Sequence, residues 1–177
     1  KDNKIKILMM IPWMITGGAD KFNLDAIAGL NKKGYENYVL TTLINDNDWK
    51  QKFEEYTDEI FCMADFMDPS RYIEFVAYFI QSRQIDVMVV TNSYDGYYML
   101  PWLRMHFPEL VIVDYIHMEE WYWKAGGHAR ASSAQNGISE KTFVCNSATR
   151  KVMTDIFDCD PERVECMYIG VDHNYYD

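Results

Sequence analysis

Short apolar runs alternate with amphipathic stretches along the chain. Uninterrupted apolar runs of this length are typical of strands that are buried on both faces of a parallel sheet. Strands that alternate with helices require right-handed crossovers, so the pattern predicts an α/β fold, a doubly wound parallel sheet with helices on both faces. The predicted strands cover 5–11, 36–44, 59–63, 87–91, 110–117, 141–146 and 164–169.

Between these runs, apolar residues recur at helical spacing. The third predicted helix has the clearest start: Asp68 can cap its N-terminus, Pro69 suits its first turn, and apolar residues follow at i+3, i+4 and i+7 from Ile73. Ser147 is predicted to cap the last helix. The segment 118–137 does not fit either period and is predicted to be a long, partly mobile loop with a helix after it. The other helices are predicted over 19–34, 48–56, 94–107 and 147–157.

Composition limits the classes of function. A chain of 177 residues with 49% hydrophobic residues predicts one globular domain, and no apolar run has the length of a membrane span. The opening residues lack a cleavage site of small residues, so we expect no signal peptide and a cytoplasmic location. A formal net charge of −10 argues against a nucleic-acid partner. Membrane association is left open but is not indicated, and a small neutral or cation-assisted ligand is the more natural partner.

Adjacent glycines, Gly17 and Gly18, lie between the first strand and the first helix. In doubly wound sheets this turn often binds anions, because the amides of the helix N-terminus point there. The dinucleotide fingerprint G-x-G-x-x-G is absent, and so is the phosphate loop G-x-x-x-x-G-K-[ST]. The glycine pair alone leaves two interpretations open, a tight turn or close approach of the backbone to a ligand.

Three segments carry a family resemblance when they are read together. They are TGGADKFNLDAIAGLNKKGYENYVLTT (16–42), VDYIHMEE (113–120) and the segment 140–177, which begins EKTFVCNS. Their order and spacing resemble family 4 of the retaining glycosyltransferases, whose GT-B architecture has two Rossmann-like domains. The last segment departs from the family pattern at Ile169, because the family has asparagine before Gly170-Val171-Asp172.

The resemblance implies a division of the chain and an activity. Residues 1–169 would form the acceptor-side Rossmann-like domain, and 170–177 would begin the linker to a second, donor-binding domain that is missing from this chain. The intact enzyme would transfer a glycosyl unit from a nucleotide sugar to a glycan, sugar or lipid-linked acceptor with retention. It would need no cofactor and no metal, and we expect the chain alone to be inactive.

The resemblance also implies roles for single residues. Gly17 and Gly18 would line the interdomain cleft near the donor phosphates and the acceptor. His117 would lie beside the transferred sugar as the catalytic residue, although a histidine with satisfied hydrogen bonds at a strand end is the alternative. Asp20 would orient an acceptor hydroxyl or favour the helix N-terminus by its charge. Glu119 and Glu120 follow His117 at the same edge of the sheet and would contact acceptor hydroxyls, although paired carboxylates on a loop are usually only solvated. Glu119 and Ser147 complete the candidates for donor or acceptor binding.

Several alternatives remain open at the level of sequence. An epimerase that acts on nucleotide sugars would share the architecture, and a non-catalytic, flavodoxin-like binding module would share the fold. Asp46-Asn47-Asp48 and Asp158-Cys159-Asp160 both match the D-x-D of metal-dependent glycosyltransferases. A pattern found twice in an acidic chain has little weight, and a loop that caps the next helix is the favoured interpretation of 46–48, so no metal site is predicted. The aromatic run 121–123 suits a platform for sugar stacking, an acceptor-binding lip, an interfacial anchor or a buried plug.

Overall fold

The computed structural model describes residues 4–170 and contains one sheet of seven parallel strands in the order β3-β2-β1-β4-β5-β6-β7. The predicted fold class, a doubly wound α/β sheet, is therefore confirmed. All seven predicted strands are present, but several end earlier than the apolar runs do. The bounds are β1 (Lys6–Ile11), β2 (Glu36–Thr41), β3 (Glu59–Cys62), β4 (Val87–Thr91), β5 (Val111–Ile116), β6 (Lys141–Val144) and β7 (Val164–Cys166).

Helices cover both faces of the sheet because successive residues of the central strands point to opposite sides. Leu8 and Met10 of β1 belong to a buried cluster with the third, fourth and fifth helices, whereas Met9 and Ile11 belong to a second cluster with the first two helices. All four side chains are nearly inaccessible to water. The helices are α1 (Gly18–Lys32), α2 (Lys50–Glu54), α3 (Tyr72–Arg83), α4 (Tyr94–His106), α5 (Gly127–Ser133) and α6 (Ser147–Lys151).

The direction of winding reverses between β1 and β4. After β1 the chain adds β2 and β3 on one side, and it then returns to place β4 on the other side of β1. The connections that follow β1 and β4 leave the sheet toward opposite faces. A crevice therefore opens above the carboxyl ends of these two neighbouring strands, which is where doubly wound sheets bind ligands.

Helix ends differ from the prediction at two places. Asp68 caps as expected, since its carboxylate accepts from the Ser70 amide at 2.9 Å. Ser147 does not cap α6: the cap is Asn146, whose side chain accepts from the Thr149 amide at 2.8 Å, and Ser147 is the first residue of the helix. The prediction was wrong by one residue because both side chains suit a cap and only the backbone conformation distinguishes them. The last predicted helix also changes at Val152 into a π-helical turn.

The segment 118–137 is more regular than its sequence predicts. Helix α5 lies inside it rather than after it, and an antiparallel bridge between Glu120 and Gly126 closes a short loop before that helix. The signal for α5 is weak because the helix is short and is built of Gly, Ala and Ser with few apolar residues. Its stability comes from packing against β5 and α4 rather than from its own amphipathic pattern.

A carboxyl group is buried under the sheet at Asp114, in the middle of β5. The side chain is about 1% exposed, and its Oδ2 accepts from the Ser132 hydroxyl at 2.5 Å. Burial raises the pKa of Asp114 from 3.8 to about 6, although the hydrogen bond from Ser132 lowers it in part. Between these two pH values the folded state keeps the proton that the unfolded chain releases, so the contribution of Asp114 to stability falls as the pH rises.

We therefore expect Asp114→Asn to change the dependence of stability on pH. Wild type and variant should have similar free energies of unfolding near pH 3, below the pKa of 3.8, where Asp114 is mostly neutral in both states. Above pH 6 the variant should be more stable by up to about 3 kcal/mol, because it no longer buries a charge. Urea unfolding at pH 3 and at pH 8 measures this difference. The exposed Asp48→Asn is the control, and a pH-independent difference for Asp114→Asn would contradict the prediction.

Candidate functional site

A cleft of about 850 Å³ opens above the carboxyl ends of β1, β2, β4 and β5. It lies at the reversal between β1 and β4, and its volume is within the usual range for sites that bind small molecules. Its walls come from the turns after these four strands, from the N-termini of α1 and α4, and from the loop before α5. Of the residues considered from the sequence, Gly17, Gly18, Asp20, His117 and Glu120 line this cleft.

Gly17 and Gly18 form an open corner of the cleft. Gly17 is extended, with φ −170°, and precedes α1 without a side-chain cap, so neither residue of the pair is needed for a left-handed turn. A Cβ added at Gly18 would meet no atom within 4 Å. A Cβ added at Gly17 would lie 3.0 Å from the Asp20 carboxylate. The space above this corner is therefore free for a ligand to contact the backbone.

Asp20 and Asn23 place polar groups on the α1 side of the cleft. Asp20 is 6% exposed, and its carboxylate accepts from the Ile15 amide at 3.3 Å. Burial raises the pKa of Asp20, and that hydrogen bond offsets part of the change. Asn23 is 2% exposed and lines the same wall, yet within residues 4–170 its Oδ1 has no hydrogen-bond partner. A ligand hydroxyl would satisfy this acceptor.

His117 follows β5 directly and is half-buried at the floor of the cleft. Its Nε2 lies 3.2 Å from the Thr91 hydroxyl, and its ring packs edge-on against Phe22 of α1, with 5.3 Å between centroids. Burial lowers the pKa of His117 to about 4, and nearby His128 contributes to the decrease. The imidazole is therefore neutral at physiological pH and is held in one orientation by β4, β5 and α1.

A strained loop carries the aromatic residues 121–123 over one side of the cleft. Lys124, Ala125, Gly126 and Gly127 all have positive φ, at 47°, 52°, 128° and 59°. Lysine and alanine seldom adopt this conformation, and such strain is often found at functional sites. The loop is tied at its base, where the Gly126 amide donates to the Glu120 carbonyl at 3.2 Å.

The aromatic run is not a buried plug, so that alternative is wrong. Tyr122 is 84% exposed and Trp121 is 50% exposed. Trp123 lines the cleft and packs edge-on against Tyr94 at 5.1 Å between centroids, while the Lys124 ammonium lies 3.8 Å from the centre of the Tyr94 ring. Together these side chains form an amphipathic wall opposite the glycine corner.

Two of the predicted residues lie outside the cleft. Glu119 turns away and accepts from the Thr149 hydroxyl at 2.9 Å, whereas its neighbour Glu120 lines the cleft and lies 3.3 Å from His128 Nδ1. Ser147 is exposed at the start of α6 and is not part of the cleft lining. Adjacent residues of an extended segment point to opposite sides, so only one of the two glutamates can face the cleft. The sequence alone does not show which one it is.

Other residues of the cleft were not singled out from the sequence. Asn23, Tyr94, Asp95, Tyr98 and His128 all contribute to its walls. The sequence could have predicted the three residues of α4. Strand β4 follows the return crossover, so the residues after β4 have to lie beside the β1–α1 turn. Asn23 and His128 belong to helices whose rotation becomes known only when they pack.

Residues 4–170 contain neither a metal-binding cluster nor a membrane-spanning helix. No set of three or more His, Cys, Asp or Glu side chains in this range is placed to hold a metal ion. Asn47, at the centre of the first D-x-D match, is buried and accepts from the Met14 amide at 2.9 Å, which is a structural role. No helix in the same range has the length and apolar character needed to span a bilayer.

Comparison with solved structures places the fold. The chain superimposes on Anabaena HepE in complex with UDP with a TM-score of 0.73 and 18% identity, over 97% of this chain and 46% of that one. The fold is that of one half of a GT-B glycosyltransferase. A glycosyltransferase from Rickettsia africae matches with a TM-score of 0.73 and 15% identity, over 99% of this chain and 45% of that one. The chain thus spans nearly half the length of these structures.

The same half-fold occurs in a second class of enzyme. The UDP-N-acetylglucosamine 2-epimerase from Rickettsia bellii matches with a TM-score of 0.63 and 10% identity, over 92% of this chain and 44% of that one. No protein-family model matches the chain, and a search of curated proteins returned no match. At these identities the likeness establishes the GT-B half-fold, and activity has to be argued from the cleft.

The strained loop provides a test of how the cleft wall is built. A Cβ at Gly127 would lie 2.6 Å from Glu120 Oε2 and 2.8 Å from Glu120 Cβ, at a φ of 59°. We expect Gly127→Ala to lower the free energy of unfolding by about 1–3 kcal/mol. Gly29→Ala, in the exposed interior of α1 with no atom within 4 Å, should instead raise it by about 0.5–1 kcal/mol. Chemical denaturation of both variants checks the opposite signs, and equal effects would contradict the account of the loop.

Proposed function

We propose that this chain is the acceptor-side half of a retaining, family 4-like GT-B glycosyltransferase that uses a nucleotide sugar and no metal. The observation that carries the proposal is the juxtaposition of an open glycine corner and a neutral, oriented histidine in one cleft at the sheet reversal. A second domain would bind the donor and close the cleft from above. Val171 and Asp172 of the linker motif lie outside the described residues, so the division at residue 169 stays a prediction.

The charges of the cleft support a donor that is held mainly by another domain. Its lining contains three carboxyl groups, Asp20, Asp95 and Glu120, but one ammonium group, Lys124. That ammonium is already placed over the Tyr94 ring. A diphosphate is usually bound by several cationic or amide donors. On this half, the free amides at the N-terminus of α1 remain as donors, and the Gly17-Gly18 corner leaves them accessible.

The environment of His117 suits a transition state in which positive charge develops at the anomeric carbon. A neutral imidazole can donate to or accept from a sugar hydroxyl without adding a repulsive charge. Contacts with Thr91 and Phe22 fix the ring, so little reorganisation would be needed during the reaction. Closure of the second domain would exclude water and protect the donor from hydrolysis.

Replacement of His117 tests the catalytic assignment. In the full-length protein, His117→Ala should lower turnover of a UDP-sugar by about 100-fold or more, with a much smaller change in UDP affinity. His117→Gln, which keeps hydrogen-bonding groups, should recover part of the loss. Steady-state kinetics give turnover, and calorimetry gives UDP affinity. Unchanged turnover in the alanine variant would remove His117 from the reaction.

Gly18→Ala tests the open corner separately from folding. Its Cβ would meet no protein atom, so the free energy of unfolding should not decrease. If the backbone touches a ligand here, the variant should bind UDP-sugar or acceptor about tenfold more weakly. Gly29→Ala lies on the same helix away from the cleft and should leave binding unchanged. Equal binding by wild type and Gly18→Ala would show that no ligand approaches this corner.

A nucleotide-sugar epimerase is the second candidate because the Rickettsia bellii enzyme shares the fold. The cleft also contains two carboxyls whose pKa values burial raises, Asp20 and Asp95, and two imidazoles whose pKa values burial lowers, His117 and His128. Such a combination suits proton transfer. Incubation of the full-length protein with UDP-sugars and no acceptor distinguishes the two activities. A changed sugar in the recovered nucleotide would favour the epimerase, and an acceptor-dependent release of UDP would favour the transferase. Neither product would favour a non-catalytic binding module.

A further inference from the structure

The solvent-exposed face of α4 has no Asp, Glu, Lys or Arg side chain. We call it the α4 face; it consists of Tyr98, Pro101, Trp102, Met105 and His106. Tyr98 is 68% exposed and Met105 is 77% exposed. This is unusual in a chain with 25% charged residues and a net charge of −10, since exposed helix faces are normally the most charged part of a protein. A face of this composition indicates a binding partner.

The α4 face continues directly from the cleft. Tyr94 and Tyr98 both line the cleft, and their ring centroids are 6.0 Å apart. Trp102 follows one turn further along the helix, at an axial rise of about 6 Å per four residues. The Trp102 ring stacks on His106 with 3.6 Å between centroids, and His106 Nδ1 lies 2.8 Å from the Trp102 carbonyl. The aromatic rings are therefore held in place before any ligand binds.

The two charged side chains of α4 do not interrupt this face. Arg104 turns toward the β5–β6 side, where it contacts Glu140 at 2.6 Å and the Leu110 carbonyl at 2.8 Å. Asp95 is half-buried at the cleft wall, and burial raises its pKa. With Asp20 and Glu120 also in the cleft, an approaching anion would meet carboxyl groups. The face itself has no Lys or Arg side chain that would bind an anionic lipid surface.

We infer that the α4 face extends the acceptor site and binds an uncharged oligosaccharide whose rings stack on Tyr98 and Trp102. The inference rests on the proposed transferase function. The sugar to be extended would lie in the cleft near His117, and the preceding sugars would follow α4 away from it. Flat aromatic rings suit the C–H faces of pyranoses, while the sugar hydroxyls at the ring edges stay in water. The spacing of one helical turn between aromatic residues is close to the length of one pyranose unit.

This arrangement selects by length and by charge. A monosaccharide would bind only in the cleft. An oligosaccharide of three or more units would also cover Trp102 and the exposed part of Tyr98. A uronic acid or a phosphorylated sugar would be disfavoured by the three carboxyl groups of the cleft. The expected acceptor class is therefore a neutral glycan chain that is lengthened at one end.

The experiment measures binding of saccharides to the full-length protein. An array of neutral saccharides of one to six units, with uronic-acid counterparts of the same lengths, is probed first. The best ligand is then titrated by calorimetry against Tyr98→Ala, Trp102→Ala and Trp102→Phe. Tyr78→Ala is the matched control, because Tyr78 is an aromatic residue of α3 that is 63% exposed and does not line the cleft. Circular dichroism confirms that each variant is folded, and Tyr98→Ala provides a second test if Trp102→Ala does not fold.

We expect affinity to increase with length up to at least three units. Each alanine variant should bind the long ligand about tenfold more weakly, and Trp102→Phe should recover part of the loss. Trp102→Ala, which lies outside the cleft lining, should leave binding of the monosaccharide unchanged. Tyr78→Ala should bind like wild type. Equal affinity for all lengths, preference for the acidic series, no binding on the array, or wild-type binding by both alanine variants would each overturn the inference.

Two further measurements test other binding partners of the α4 face and the proposed transferase function. Flotation with vesicles of anionic and zwitterionic lipid, or dimerisation in sedimentation, that is lost in Trp102→Ala would assign the face to a membrane or to a second copy and overturn the inference. One outcome is UDP release that depends on acceptor and on His117, with no dependence of affinity on saccharide length. This outcome would support the transferase function and would reject oligosaccharide binding by the α4 face. Absence of both the acceptor-dependent UDP release and the length dependence would reject the transferase function itself.

Discussion

The return crossover that places β4 beside β1 is the constraint on which the rest of the structure depends. Strand β1 is buried on both faces and pairs with β2 and β4 along nearly its whole length, so its position allows little adjustment. The chain must leave its carboxyl end toward one face of the sheet, and the neighbouring β4 must leave toward the other. Because burial of apolar surface fixes both strands, a gap opens between the two connections at the carboxyl edge of the sheet. This gap is the cleft, and the amides at the N-terminus of α1 lie beside it.

The two walls of that gap are built by different means. On the α1 side, small residues leave the backbone open, and the conformation of Gly17 is an ordinary extended one that many residues adopt. On the opposite side, four consecutive residues of positive φ bring an aromatic loop over the cleft, and the close contact between Gly127 and Glu120 leaves no room for a side chain. The α1 wall is thus open because its glycines have no side chains, whereas the loop wall keeps its shape because packing offsets the backbone strain.

Burial also sets the protonation of the groups around the sheet. The same loss of water raises the pKa of Asp114 and Asp20 and lowers that of His117, because in each case the charged form is disfavoured. For Asp114, under the sheet, the consequence is a contribution to stability that depends on pH. For His117 the consequence is a neutral ring in the cleft, which is the form that the proposed chemistry requires.

The sequence by itself determined the order and type of most elements, the parallel doubly wound sheet, and the location of Gly17, Gly18, Asp20 and His117 at strand ends that share one edge. Those conclusions depend on local periodicity and on the handedness of crossovers, which act over short stretches of chain. Only the tertiary structure decided that Glu120 rather than Glu119 lines the cleft, that Asn146 rather than Ser147 caps α6, and that α5 forms within 118–137. Only packing set the rotation of α4, which leaves its aromatic residues in water. These outcomes depend on which side of a segment is covered by distant parts of the chain, and no local pattern contains that information.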